Sequence, residues 1–211
     1  MARETDYLSL YARVAPTRVL GTGQRYGLWV QGCPFRCLEC MTPESLPFAG
    51  GERVAVAELA QEMLATPDVE GITITGGEPF AQAAALGALV AQLKEKEWGV
   101  IVYTGYVYEQ LLRLGGTNAA LRNFLSHIDV LIDGQYEAER NEGTSLRGSS
   151  NQRIICLTPR YAPEMEQITT QKQRAVEIHL LESFALLVGV PGAETLRQWK
   201  QGFSISDPCD D

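Results

Sequence analysis

Gly71-Ile-Thr-Ile-Thr-Gly-Gly-Glu-Pro79 is the stretch that decides the fold. Its first five residues are rich in β-branched side chains, which suit a pleated strand. Two glycines follow at once, and glycines after a strand let another backbone or a ligand come close. The pattern predicts a buried strand over residues 71–75 that ends in a tight turn. Downstream, Ala81–Glu97 reads as a long helix rich in alanine and leucine, and Val100–Tyr103 as the next strand, running into Thr104-Gly105-Tyr106. Two short helical stretches, Tyr108–Leu114 and Ala119–Ser126, lead to a strand over Asp129–Ile132 that enters Asp133-Gly134. A polar loop covers Gln135–Gln152, and Arg153–Leu157 is a further strand. Upstream, Val56–Ala65 has helical spacing and stops before Pro67. Tyr26–Gln31 reads as a short strand that opens into a long loop reaching about Gly51.

Strands alternating with helices imply βαβ units and a parallel sheet. Ligands of such sheets bind at the carboxyl ends of the strands. The special segments all fall at such ends, so the expected fold is α/β, a partial open barrel of about six mainly parallel strands. Residues 1–160 are expected to form this core and 161–211 a C-terminal extension. In the extension, Val176–Leu181 and Phe184–Val190 read as two strands or a strand and a helix, and Glu194–Lys200 as a last short helix.

The chain has 211 residues, enough for one domain with a proper core, and 45% hydrophobic against 21% charged residues is an ordinary globular balance. The formal net charge of −8 and the absence of a basic stripe argue against a nucleic-acid role. Met1–Leu10 is charged and lacks the apolar segment of a secretory signal, and Phe184–Val190 is too short an apolar run to span a bilayer. Gly21, Gly23 and Gly27 precede a strand instead of following one, so they are not a dinucleotide fingerprint. Five cysteines, three of them crowded together, fit metal binding in a reducing cytoplasm better than a disulfide framework.

Those three are Cys33, Cys37 and Cys40, spaced Cys-x-x-x-Cys-x-x-Cys. A cubic [4Fe–4S] cluster is normally capped by four thiolates. Three on one loop would leave one iron open to a small molecule. The competing assignment is zinc, with Cys156, His127 or His179 as fourth ligand, although the second ligand pair usual for zinc is missing. Cys156 lies in an apolar strand and reads as a core thiol, and Cys209 as a tail residue. His127 reads as a surface or capping residue, His179 as packed or hydrogen-bonded, and Trp29 as packing beneath the cysteine loop.

With Gly76-Gly77-Glu78-Pro79 some forty residues beyond this loop, the chain resembles the radical S-adenosylmethionine enzymes. Val102–Tyr106, Ile128–Gly134 and Leu146-Arg-Gly-Ser-Ser-Asn-Gln-Arg153 are similar to the branch that activates glycyl-radical enzymes such as anaerobic ribonucleotide reductase. The resemblance runs from about Arg18 to Ile155. It implies that Cys33, Cys37 and Cys40 hold a [4Fe–4S] cluster whose open iron binds S-adenosylmethionine. Reductive cleavage would then yield a 5′-deoxyadenosyl radical that takes hydrogen from a glycine of a partner enzyme. Gly76, Gly77 and Glu78 would meet the methionine moiety, and Glu39 and Met41 would lie near the adenine. Asp133 would hold a cation or the cofactor, or simply make an Asp-Gly turn, and Asn151 belongs to the segment closing over the cofactor. A low-potential donor such as flavodoxin or ferredoxin is the implied electron source. Two departures stand out. Glu39 occupies a position often aromatic in the family, and the chain continues about fifty residues past the Asn-Gln strand. That continuation leaves room for a radical enzyme acting on another peptide, protein or small molecule. A non-enzymatic zinc or iron–sulfur module is the remaining alternative.

Overall fold

A computed structural model of the chain describes residues 5–170, 175–182 and 184–202. It opens with a strand the sequence reading passed over, β1 (Tyr7–Thr17). Leu8, Leu10, Ala12 and Val14 are buried in strict alternation along it, so the signal was a period of two beneath a charged N-terminus. β2 (Arg25–Val30) returns antiparallel to β1, and β3 (Glu52–Ala55) pairs with the other edge of β1.

From there helices carry the chain. α1 (Val56–Ala65) leads to β4 (Gly71–Gly76), and α2 (Ala83–Lys94) to β5 (Gly99–Thr104). α3 (Tyr108–Thr117) and α4 (Ala119–Ser126) lead to β6 (Val130–Asp133). Each crossover brings the next strand back in the same direction, so β2, β4, β5 and β6 pair in parallel. No α-helix interrupts residues 134–152, and β7 (Arg153–Cys156) therefore returns antiparallel to β6. The sheet order is β3-β1-β2-β4-β5-β6-β7. The centre is parallel as expected, but it holds four strands, not about six, because β1, β3 and β7 pair antiparallel.

Alternation along the strands gives the sheet two apolar faces. Leu28, Val30, Ile72, Ile74, Val100, Val102 and Leu131 face α1–α4 and pack on Leu59, Met63, Leu86, Leu89, Leu93 and Phe124. Ile101, Val130 and Ile132 lie on the opposite face against Tyr161. Ala12, Val14, Leu20 and Trp29 pack on Leu186 and Val188. Those last two belong to the C-terminal segment, which comprises α5 (Ala162–Thr170), an antiparallel pair β8 (Val176–Leu180) and β9 (Ala185–Gly189), and α6 (Ala193–Gly202). The two apolar runs of the extension are thus two strands.

Arg25 is fully buried on this second face. Its guanidinium donates to Thr73 Oγ1 (3.1 Å), the Tyr161 hydroxyl (2.7 Å), Gly99 O (3.1 Å) and Ile72 O. It ties β2, β4 and β5 to the segment after β7, and desolvation lowers its pKa. Cys156 is not the core thiol expected: β7 is an edge strand and leaves it exposed. His127 is the C-cap of α4, and His179 Nε2 lies 2.9 Å from Glu177 Oε2. Cys209 lies outside the described residues. No helix among the described residues is long and apolar enough to cross a membrane.

Candidate active site

The carboxyl ends of β2, β4, β5 and β6 meet at one rim, and three turns there are stitched together. Gly77 N–H donates to Val30 O (2.8 Å) and Glu78 N–H to Gly32 O (2.8 Å), fastening the Gly-Gly turn to the start of the cysteine loop. A side chain at position 77 would place its Cβ 2.3 Å from Gly32 O, so only glycine fits there. Gly76 has φ +100°, a backbone state that side chains disfavour. Past the cysteines the loop folds back: Gly32 N–H donates to Ser45 O (2.8 Å), Cys33 N–H to Leu46 O (2.9 Å), and Gln31 Nε2 to Pro47 O (2.7 Å). Phe35 reaches the third turn, edge-on to Tyr106 (4.9 Å between centroids), where a Cβ on Gly105 would collide with its ring.

Glu78 joins two of these turns. It is 1% exposed, and its carboxylate accepts from Phe80 N (2.9 Å), Thr104 Oγ1 (2.9 Å) and Gly105 N (2.9 Å). Desolvation lifts its pKa to about 7, and the three hydrogen bonds oppose that rise.

Between the turns lies a cavity of about 520 Å³, within the range of small-molecule sites. Cys33, Cys37, Cys40, Met41, Gly76, Gly77 and Glu78 all line it, as do Trp29, Thr75, Tyr103 and Gly134. Glu39, exposed and at φ +55°, turns away into a smaller neighbouring cleft. Asp133 is not among the lining residues. It is buried, with its carboxylate accepting from Tyr108 N (2.7 Å) and from the Arg153 guanidinium, which also pairs with Glu109. Asn151 is not among the lining residues either. Its Nδ2 donates to Gln135 O (2.8 Å), and its Oδ1 is buried without a hydrogen-bond partner among the described residues.

Several lining residues escaped the sequence reading. Gln152 takes Gly148 N–H (2.8 Å) and Ser149 N–H (3.1 Å) on its Oε1 and gives Nε2 to Gly134 O (2.8 Å), which shapes the loop beside Met41. The far wall comes from the C-terminal segment: Phe184, Leu186, Val190, Leu196, Trp199 and Lys200. Nothing local marks such residues, because long-range contacts bring them to the site.

The donor set can be tested against the cofactor that the loop implies. The three thiols are free, sit on one loop and open into one cavity. Among the described residues no three His, Cys, Asp or Glu side chains converge as the ligands of one ion would. Three thiols that share one loop and one cavity are the donors a cluster takes, since its irons each bind a separate thiolate. Burial pushes the Cys33 thiol up to about 11 and raises Cys40 as well, so iron would displace their protons on binding. The residues fit a [4Fe–4S] cluster.

Comparison with known proteins agrees. The family model described as a 4Fe-4S single cluster domain matches residues 19–155. The chain is 32% identical over 158 residues to the anaerobic ribonucleoside-triphosphate reductase-activating protein of Pasteurella multocida, covering 70% of this chain and 98% of that one. It is 32% identical to the protein of the same name from Enterobacteria phage T4, covering 68% and 92%. A pyruvate formate-lyase-activating enzyme of Staphylococcus aureus is 41% identical over 81 residues, 36% of this chain and 32% of that enzyme. The chain therefore belongs to the 4Fe-4S single cluster domain family, in the activase branch of the radical S-adenosylmethionine enzymes, which work with a [4Fe–4S] cluster and S-adenosylmethionine.

Proposed function

We propose that this chain activates a glycyl-radical enzyme of the anaerobic ribonucleotide reductase kind. One observation carries the reading: Cys33, Cys37 and Cys40 open into the same cavity as Gly76 and Gly77, at the carboxyl rim of a parallel sheet. In this reading the cysteines hold the cluster, and Met41, Gly76 and Gly77 receive S-adenosylmethionine. Glu78 holds the turns in register through Thr104 and Gly105, while Asp133 and Asn151 brace the rim and Glu39 stays at its outer edge. The loaded site supplies one-electron cleavage of the sulfonium and a carbon radical, and the protein supplies position and exclusion of water. Trp29, Tyr103 and the apolar residues of β9 give the cavity its dry wall. The sheet would curve about this cavity as a partial barrel, with residues 1–160 as the core and the rest as an extension. Flavodoxin or ferredoxin in the cytoplasm would provide the electron.

The test joins anaerobically reconstituted protein, dithionite, S-adenosylmethionine and a purified anaerobic ribonucleotide reductase. A glycyl-radical doublet should appear by electron paramagnetic resonance and be absent with Cys37→Ala. Cofactor cleavage without that doublet would favour a second reading, a radical enzyme acting on another peptide, protein or small molecule. The C-terminal wall favours that alternative, since its lining residues lie beyond the family match, which ends at residue 155.

A further inference from the structure

The C-terminal segment is fastened to the body of the fold at several points. Arg18 N–H donates to Glu177 Oε1 (3.1 Å), and Leu186 and Val188 pack on Trp29. Asn141 Nδ2 donates to Pro191 O (3.1 Å). Leu196, 5% exposed, anchors α6, and one turn further on Lys200 Nζ donates to Cys40 O at 3.3 Å. Lys200 is the only lysine, arginine or histidine among the described residues that line the cavity, where the charged companions are Glu44 and Glu78. Arg36 also bonds the loop, at Cys33 O (2.8 Å), but does not line the cavity. Every residue of this segment lies beyond the family match, which ends at residue 155.

We propose that Lys200 is a positioning residue that sets the reduction potential of the centre held by Cys33, Cys37 and Cys40, through the positive charge it places beside Cys40. The inference rests on the cluster reading above. A low-potential donor gives the centre one electron. No bond forms or breaks, no proton moves, and the centre gains one unit of negative charge. A cation at the third ligand stabilises that added charge and raises the potential, since charge and solvent exposure are among the levers on such clusters. Lys200 is exposed at the cavity edge, so ions screen its effect. The screening length falls from about 30 Å at 0.01 M salt to about 8 Å at 0.15 M, which makes the effect salt-dependent.

The experiment is an anaerobic potentiometric titration of the reconstituted full chain, followed by the resonance signal of the reduced cluster. Wild type is compared with Lys200→Arg, Lys200→Met and Lys200→Glu. Lys96→Met removes the same charge from an exposed site beyond α2. The expected order is wild type close to Lys200→Arg, then Lys200→Met at more negative potential, then Lys200→Glu lowest, with Lys96→Met unshifted and the spread shrinking as salt rises. A role confined to holding the loop would not grade with charge or respond to salt. Equal potentials across the series, with iron content intact, would overturn the role of Lys200 and leave the cluster reading standing. Failure of the wild type to take up iron and sulfide would overturn both.

Discussion

Glu78, which in sequence could orient the Gly-Gly turn, bind a cation or meet the methionine moiety, both lines the cavity and joins two turns in the structure. Its carboxylate is spent on Phe80, Thr104 and Gly105. With its pKa lifted from 4.5 to about 7, the native state holds the proton more tightly than the unfolded chain does. The stabilisation this gives is complete below about pH 4.5 and is lost as pH climbs through about 7. Urea unfolding of the metal-free protein should therefore weaken between about pH 5 and about pH 8, and Glu78→Gln, which cannot ionise, should flatten the slope. An unchanged slope in that variant would contradict the assignment. Gly77→Ala pushes a Cβ into Gly32 O and should cost about 1–3 kcal/mol by parting the two turns. That the cysteines share one site was legible, because their spacing keeps all three on one loop. The partners of Glu78 were not, because Thr104 and Gly105 arrive through a separate strand.

Among the elements, the four parallel strands and α1–α4 were legible, since each carries its own periodicity and the strands run into glycine or aspartate at their carboxyl ends. β1 was missed because charges ahead of it masked an alternation that only a partner strand explains. β8 and β9 stayed undecided because short apolar runs of that length suit either state. Among the described residues these two strands pair only with each other, and their side chains pack on Ala12, Val14 and Trp29. Their amides should thus exchange with deuterium ahead of those of β4 and β5, through local opening. Protection equal to the central sheet would count against this. Leu186→Ala, at a position 4% exposed, should cost about 2–5 kcal/mol by urea unfolding.

For the whole molecule, the site is a product of assembly. Three turns from separate strands meet at one rim, the polar loop shapes one side, and a segment beyond residue 155 supplies the far wall. Sequence placed the three cysteines and the Gly-Gly turn at strand ends, and that was enough to locate the rim. It gave no hint that Trp199 and Lys200 line the same space, because no spacing rule connects residue 40 with residue 200. The central claim is that three thiolates hold a cluster with one iron left for S-adenosylmethionine. The most direct measurement is anaerobic reconstitution with iron and sulfide, followed by dithionite and S-adenosylmethionine and an assay for 5′-deoxyadenosine. The account predicts a brown protein with about four iron and four sulfide per chain that forms 5′-deoxyadenosine. A folded, colourless protein that binds zinc and leaves the cofactor whole would contradict it.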